Sequence, residues 1–344
     1  MNSLPILGTT FILRDAFPRR AAPPGDSGHV PKSDAAPGID SVSTCYNGAM
    51  KFQVTLLALA LLAGCRASGD YADEIRDWQA SREESLRSES GYLALAGLQW
   101  LEPGATSFGS GPLNDWPWSF GPTRAGVLHL RGGEVTVVAE PGVDLIVDEA
   151  VVRSAALVDD TPGPPTRVTV GDGAFWVIER AGRLGVRLRH PGSEVLENYS
   201  GTERYAVRKR WRCEARFVRF EHPKPIAIPN VMGSTFEGES PGILIFDHAG
   251  ETRKLTVTSE SETRLFVVFG DESNGDGTYG GGRFLSVDLP EGDGRTVVDF
   301  NKAYNPPCAY SPYTTCPLPL PENRLPFRVE AGERTYLGRG PGGR

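Results

Sequence analysis

The chain has 344 residues, 36 of them basic and 43 acidic, for a formal net charge of −7. That balance argues against a nucleic-acid partner, because phosphate contacts require clustered Lys and Arg. Charged residues make up 23% of the chain and hydrophobic ones 39%, which fits a globular protein long enough for two small domains.

Residues 1–49 are rich in Pro, Gly, Ala and Ser and show no sustained periodicity. Translation starting at Met50 explains them best, and a disordered presequence is the alternative. Met50-Lys51 leads into the apolar run Phe52–Leu62 and then Leu62-Ala63-Gly64-Cys65. A charged start, a short apolar stretch and small residues before a cut site describe an export signal over 50–65. The run is too short for a membrane-spanning helix, which needs about 20 apolar residues. Leu-Ala-Gly-Cys resembles the bacterial lipobox, which implies lipidation at Cys65 and a lipid-anchored protein of the bacterial cell envelope. A buried helix ending in cysteine is the plainer alternative. Loss of residues 1–65 removes five basic and four acidic side chains and brings the net charge to −8. Membrane attachment is therefore assigned to the lipid and not to a basic surface.

Residues 66–88 read as a tether and one short helix. Tyr71, Ile75, Trp78 and Leu86 share a face, and Asp70, Asp73 and Glu74 suit the helix N-terminus. Arg82, Glu83, Glu84 and Arg87 are expected on a solvated face.

From 89 to 195 the pattern is that of a β-sandwich. Val127–Leu130 and Val135–Val138 flank Arg131-Gly132-Gly133-Glu134, and Phe175–Ile178 and Val186–Arg189 flank Ala181-Gly182-Arg183; both are hairpin signals. Val186 and Leu188 should face one way, Arg187 and Arg189 the other. The spacing of Gly104–Gly109 and of Val170-Gly171-Asp172 resembles forkhead-associated sandwiches, without implying phosphopeptide binding.

A second β unit spans 196–344. Trp211, Cys213, Ala215 and Phe217 alternate with charged residues, so Cys213 should point inward as a structural thiol. Strands follow at Ile243–Phe246, Lys254–Thr258, Leu265–Phe269, Arg283–Val287 and Thr296–Phe300. Sequential antiparallel strands with tight turns predict a barrel or curled sheet, similar in layout to calycin barrels, which can hold a small ligand in their mouths. The fold class is thus mainly β: sandwich, then antiparallel barrel-like sheet, with one N-terminal helix.

Few residues advertise chemistry. Gly270–Arg283 is rich in Asp, Asn and Gly, but its twelfth position counted from Glu272 is Arg283 and not an EF-hand Glu, so an Asx-rich turn is expected. Arg283 could hold a carboxylate or phosphate, or pin the loop through Asp271 or Asp299. His248 falls at a hairpin tip, and Asn230–Ser234 lacks a nucleophile elbow. No cofactor motif and no metal site are assigned.

The densest stretch is Asp299-Phe300-Asn301-Lys302-Ala303-Tyr304-Asn305-Pro306-Pro307-Cys308-Ala309-Tyr310, continuing through Tyr313, Cys316 and Pro317 to Glu322-Asn323-Arg324-Leu325-Pro326. Together with Gly91–Leu101, Trp211–Gly233 and Glu330-Ala331-Gly332-Glu333, it resembles prokaryotic domain-of-unknown-function family number 1684, over about Trp78 to Glu333. The resemblance implies membership and supplies no reaction. Tyr279, Arg283, Asn301, Tyr304, Asn305, Tyr313, Asn323 and Arg324 are the candidate ligand-binding residues; a polar plug across the barrel end is the competing account of the stretch. An oxidising compartment permits a Cys308–Cys316 disulfide. A small polar or aromatic ligand is the expected partner. An envelope hydrolase with no assigned nucleophile and a protein-docking assembly component are the alternatives.

Overall fold

The computed structural model describes residues 71–338, apart from 162 and 291. The expected extension, export signal and Cys65 lie outside the described residues.

A helix covers 71–87. Its lower half does not present the solvated face expected of Arg82 and Glu83. Trp78, Arg82 and Leu86 recur at four-residue spacing and so line one face, and Arg82 is buried with only 5% of its surface exposed. A charge this deep is tolerated because Glu333 and a backbone carbonyl receive it.

The sandwich follows. One sheet has six strands: β1 (Leu95–Trp100), β11 (Arg183–Arg189), β10 (Gly173–Arg180), β9 (Arg167–Val170), β6 (Leu145–Val147) and β7 (Ala150–Val152), in that order. The other has five: β3 (Trp116–Pro117), β2 (Gly104–Gly109), β4 (Gly126–Arg131), β5 (Glu134–Ala139) and β8 (Ser154–Leu157). Their facing sides bury Phe108, Trp118, Leu128, Val137, Phe175 and Val186 in one core. Gly132 and Gly133 adopt φ of 60° and 86° between β4 and β5, the left-handed pair that a two-residue hairpin turn requires. The outer face of the six-stranded sheet is also covered. Trp176 and Ile178 pack there with Leu86, Tyr199 and Tyr310, so Arg187, expected to face outward, is 2% exposed.

The second unit is a curled antiparallel sheet. Its order is β16 (Arg283–Asp288), β15 (Arg264–Asp271), β14 (Glu251–Ser259), β13 (Thr235–His248), β12 (Arg212–Pro229) and β17 (Arg295–Asp299). The Thr296 hydroxyl of β17 reaches back to the Asp288 carbonyl of β16, 2.9 Å away, nearly closing the barrel. Trp211, Phe217, Phe246, Leu255, Phe269 and Phe300 fill the interior together with Cys213. The calycin-like layout expected is present, with the interior filled by side chains. β12 and β13 run well past the expected strands into a long hairpin ending at Asn230–Ser234. Pro223, Pro225 and Pro229 make that extension look like a loop in sequence, yet proline is accommodated in strands where its nitrogen is not needed for the ladder.

The sheet is splayed at one place. β14 and β15 pair only at Thr258–Phe266 and Ser259–Leu265. Beyond that the Asn323 side chain stands in for the missing ladder: its amide donates to Thr256 O (2.8 Å) and Val268 O (3.0 Å), and its oxygen accepts from Thr256 N (2.8 Å). β18 (Arg324–Leu325) then adds parallel to β15. Between Tyr304 and Arg324 the chain thus wraps the outside of the barrel as a strap, while Phe300, Ala303 and Leu325 at its ends join the interior core.

Candidate functional site

The strap and the C-terminal segment converge on Glu333, which is completely buried. One carboxylate oxygen accepts from Arg82 Nε (3.3 Å) and Arg204 (3.4 Å), the other from Asn305 N (2.7 Å) and the Tyr310 hydroxyl (2.8 Å). Four donors on one buried carboxylate offset the cost of removing it from water. Gly332 makes the approach possible. It holds φ of 71°, and a Cβ there would lie 2.3 Å from Ala303 O.

From Glu333 the network runs outward. Tyr310 meets the Thr202 hydroxyl at 3.1 Å, Thr202 meets Tyr199 at 2.7 Å, and Tyr199 donates to Glu83 at 2.7 Å. Arg204 closes the ring by binding Glu83 at 2.7 Å. Burial pushes the Tyr199 and Tyr310 hydroxyls above their ordinary range, so they remain donors at neutral pH. Burial would raise Glu83, but the bonds from Tyr199 and Arg204 prevail and hold it below its usual value. Burial likewise opposes the charge on Arg82, and Glu333 more than restores it.

Thr202 is the floor of a polar cleft of about 320 Å³. Ser200, Gly201 and Glu203 form one wall, Thr335, Tyr336 and Leu337 the other. The walls are tied by Arg334 N–H to Glu203 O (2.9 Å) and by the Arg334–Glu203 ion pair (2.9 Å). Tyr336 lies 5.5 Å from the Tyr199 ring and 5.1 Å from that of Tyr310.

The eight residues singled out from sequence do not gather around one opening. Arg283 is 0% exposed. It binds Asp271 (2.8 Å) and Val329 O (2.7 Å) and also donates to Ala331 O, so of its two expected counter-ions it takes Asp271. Asn301 bridges the Arg208 backbone, accepting from N at 3.1 Å and donating to O at 3.0 Å. The Tyr304 ring is buried with the Arg82 guanidinium 4.7 Å above it and Phe284 at 5.8 Å. Asn305 donates to Arg334 O at 2.7 Å, and Asn323 clamps the splayed strands. Tyr279 and Tyr313 are half-buried, and Arg324 is exposed. In the loop before β16, Asn274 Oδ1 accepts from Asp271 N at 2.7 Å and Asp276 pairs with Arg328 at 2.9 Å. That is the Asx-type turn expected there.

Arg82, Glu83, Tyr199, Thr202, Arg204 and Glu333 were not singled out. Glu333 offered one signal, as the end of the Glu330–Glu333 block; the others carry none without their partners.

The model of the family described as a protein of unknown function, DUF1684, matches residues 197–334. An uncharacterised protein of Haloarcula marismortui, solved by NMR in solution, is 33% identical; the match covers 41% of this chain and 80% of that one, with a TM-score of 0.35. The chain belongs to this family. No curated protein matches it. The family match contains the strap, Thr202 and Glu333, and it begins after the sandwich, whereas the sequence resemblance was drawn from about Trp78.

Proposed function

We propose that this protein is a lipid-anchored component of a bacterial cell envelope that binds a small polar ligand in its C-terminal β unit. The cleft between 200–203 and 335–338 carries the reading. Its volume of about 320 Å³ lies in the range of small-molecule sites. Thr202 in its lining is fixed by hydrogen bonding to Tyr199 and Tyr310 before any ligand arrives, which lowers the ordering cost of binding. Tyr336 in the wall supplies a flat face with a polar tip, suited to a polar or aromatic group. The strap residues support this site from behind. The envelope location rests on Met50–Cys65.

Protein from an exporting bacterial host should show a discrete extra mass by native mass spectrometry, lost in Thr202→Val and Tyr336→Ala. A bare mass for the wild type under gentle desolvation would count against retained binding. Labelling with radioactive palmitate should mark the wild type and spare Cys65→Ala; label on neither chain removes the anchor.

Docking through the sandwich has one observation behind it. Ile146 and Val151 face each other across the β6–β7 pair and are 38% and 58% exposed. A hydrolase reading gains nothing comparable: His248 stacks on Trp211 and on Phe327, and His190 stacks on Phe120.

A further inference from the structure

Cys308 and Cys316 close a small loop in the strap, on the side of the molecule away from the barrel interior. Each sulfur accepts the other residue's backbone N–H: Cys308 N to Cys316 Sγ is 3.1 Å, and Cys316 N to Cys308 Sγ is 3.2 Å. The Thr314 hydroxyl also reaches Cys308 Sγ, at 3.0 Å. Both thiols are free. Their surroundings differ. Cys316 is 4% exposed and packs with Phe266, Phe284 and Tyr304, whereas Cys308 lies at the margin of that cluster and is only partly buried.

We infer that Cys308 and Cys316 form a thiol–disulfide exchange site, with Cys308 as the attacking sulfur, Cys316 as the resolving one and a low-molecular-weight disulfide as co-substrate. The asymmetry is what exchange needs. A thiolate attacks, and donors aimed at a sulfur stabilise its thiolate. Cys308 has the Cys316 thiol, the Thr314 hydroxyl and a backbone N–H pointing at it, and the Arg187 guanidinium adds a favourable charge; together they hold its thiol below the ordinary range. Burial drives Cys316 the other way, well above it. Cys213, inside the barrel, is pushed up to about 11 by burial and then by Asp299, and serves as an inert reference.

The steps balance. The Cys308 thiolate attacks one sulfur of the small disulfide, breaking its S–S bond, forming a mixed disulfide and expelling one thiolate. Cys316 then loses its proton and attacks the Cys308 sulfur, expelling the second thiolate. One disulfide is broken and one is made. Two electrons pass from the protein to the small molecule, which leaves as two thiols carrying the two protons. The product would fasten the strap, because Cys316 O accepts from Val231 N (3.1 Å) and Leu318 N donates to Pro229 O (2.7 Å) at the end of the long hairpin. This site is independent of the cleft at Thr202.

The test is equilibration of the reduced full-length protein in oxidised and reduced glutathione mixtures. Peptide mass spectrometry resolves each cysteine, so that Cys45 and Cys65 are read separately. Cys308 and Cys316 should lose two hydrogens together and regain them as the mixture becomes reducing. In wild type, an alkylating probe should modify Cys308 about tenfold or more faster than Cys213. Cys316→Ser should accumulate a glutathione adduct on Cys308, while Cys308→Ser should leave Cys316 unmodified. A Cys308 no faster than Cys213 in wild type overturns the proposal, whatever the variants do. So does a Cys308–Cys316 bond that forms and cannot be reversed by glutathione, which is the mark of a purely structural disulfide.

Discussion

The sandwich and the strapped barrel are both β-sheet structures with apolar cores, yet they are held together differently. In the sandwich the core between the two sheets is apolar throughout, although several of its strand pairs join distant parts of the chain, as β1–β11 and β6–β9 do. In the C-terminal unit, charged and amide groups are buried and satisfied by partners far along the chain: Arg82 and Glu333 are separated by 251 positions, Asn323 and Thr256 by 67. The lesson is that two sheets pressed face to face can rely on burial of apolar area. A sheet with a splay and a wrapped strap needs directional bonds at defined points, and each is expensive to leave half made.

The comparison can be broken at the buried ion pair first. Arg283→Ala leaves Asp271 charged in a dry site, and urea unfolding should show a loss of about 3–5 kcal/mol. The double variant Asp271→Asn, Arg283→Ala should lose less than Asp271→Asn and Arg283→Ala added together; full additivity of those two single losses would show that the pair is not coupled. In the sandwich, no polar substitution should match this, whereas Phe175→Ala should, at about 3–5 kcal/mol through its cavity.

A smaller effect is expected at the splay. Asn323→Ala removes three bonds to β14 and β15 and should cost about 1–3 kcal/mol. Hydrogen exchange should accelerate at Thr256 N, which bonds to Asn323 Oδ1, while the β10–β11 amides stay protected. Faster exchange spread evenly over both units would contradict a local clamp. Gly133→Ala, at φ of 86° in the sandwich hairpin, should cost about 1 kcal/mol and leave the strap undisturbed by the same measurement.

The smallest effect concerns pH. His248, buried first and also near Arg210 and Arg253, is held below its ordinary value of 6.5. The unfolded chain therefore takes up the proton before the folded one. Stability is full above 6.5 and declines as pH falls toward the folded value. Glu83, also depressed, adds a second loss at lower pH, below the ordinary carboxylate value of 4.5. His248→Phe should flatten the first decline and Glu83→Gln the second, in melting temperatures taken from pH 7.5 to 3.5 in steps of about half a unit.

Much of the sandwich was legible because its signals are local. Gly132-Gly133 and Ala181-Gly182 marked turns that need positive φ, and alternation put Val186 and Leu188 on the core face. The inward Cys213 and the hairpin-tip His248 were legible for the same reason. Arg187 and Arg82 were misplaced by equally sound local reasoning. A charged residue opposite an apolar face reads as solvated, and only a second layer from elsewhere in the chain shows that it is covered. The strap was conspicuous as composition, but its amides and tyrosines could not be sorted into wall and support without their partners.

The amino-acid sequence by itself determined strand periodicity, the tight turns and the family, because each depends on a few neighbouring residues or on a dense motif. Tertiary structure alone decided that Glu333 collects four donors, that Thr202 becomes the floor of a cleft, and that two cysteines eight positions apart face each other with unequal burial. Those outcomes depend on which distant groups share one dry volume. Desolvation and hydrogen bonding set the character of a polar side chain only after the fold has chosen its company.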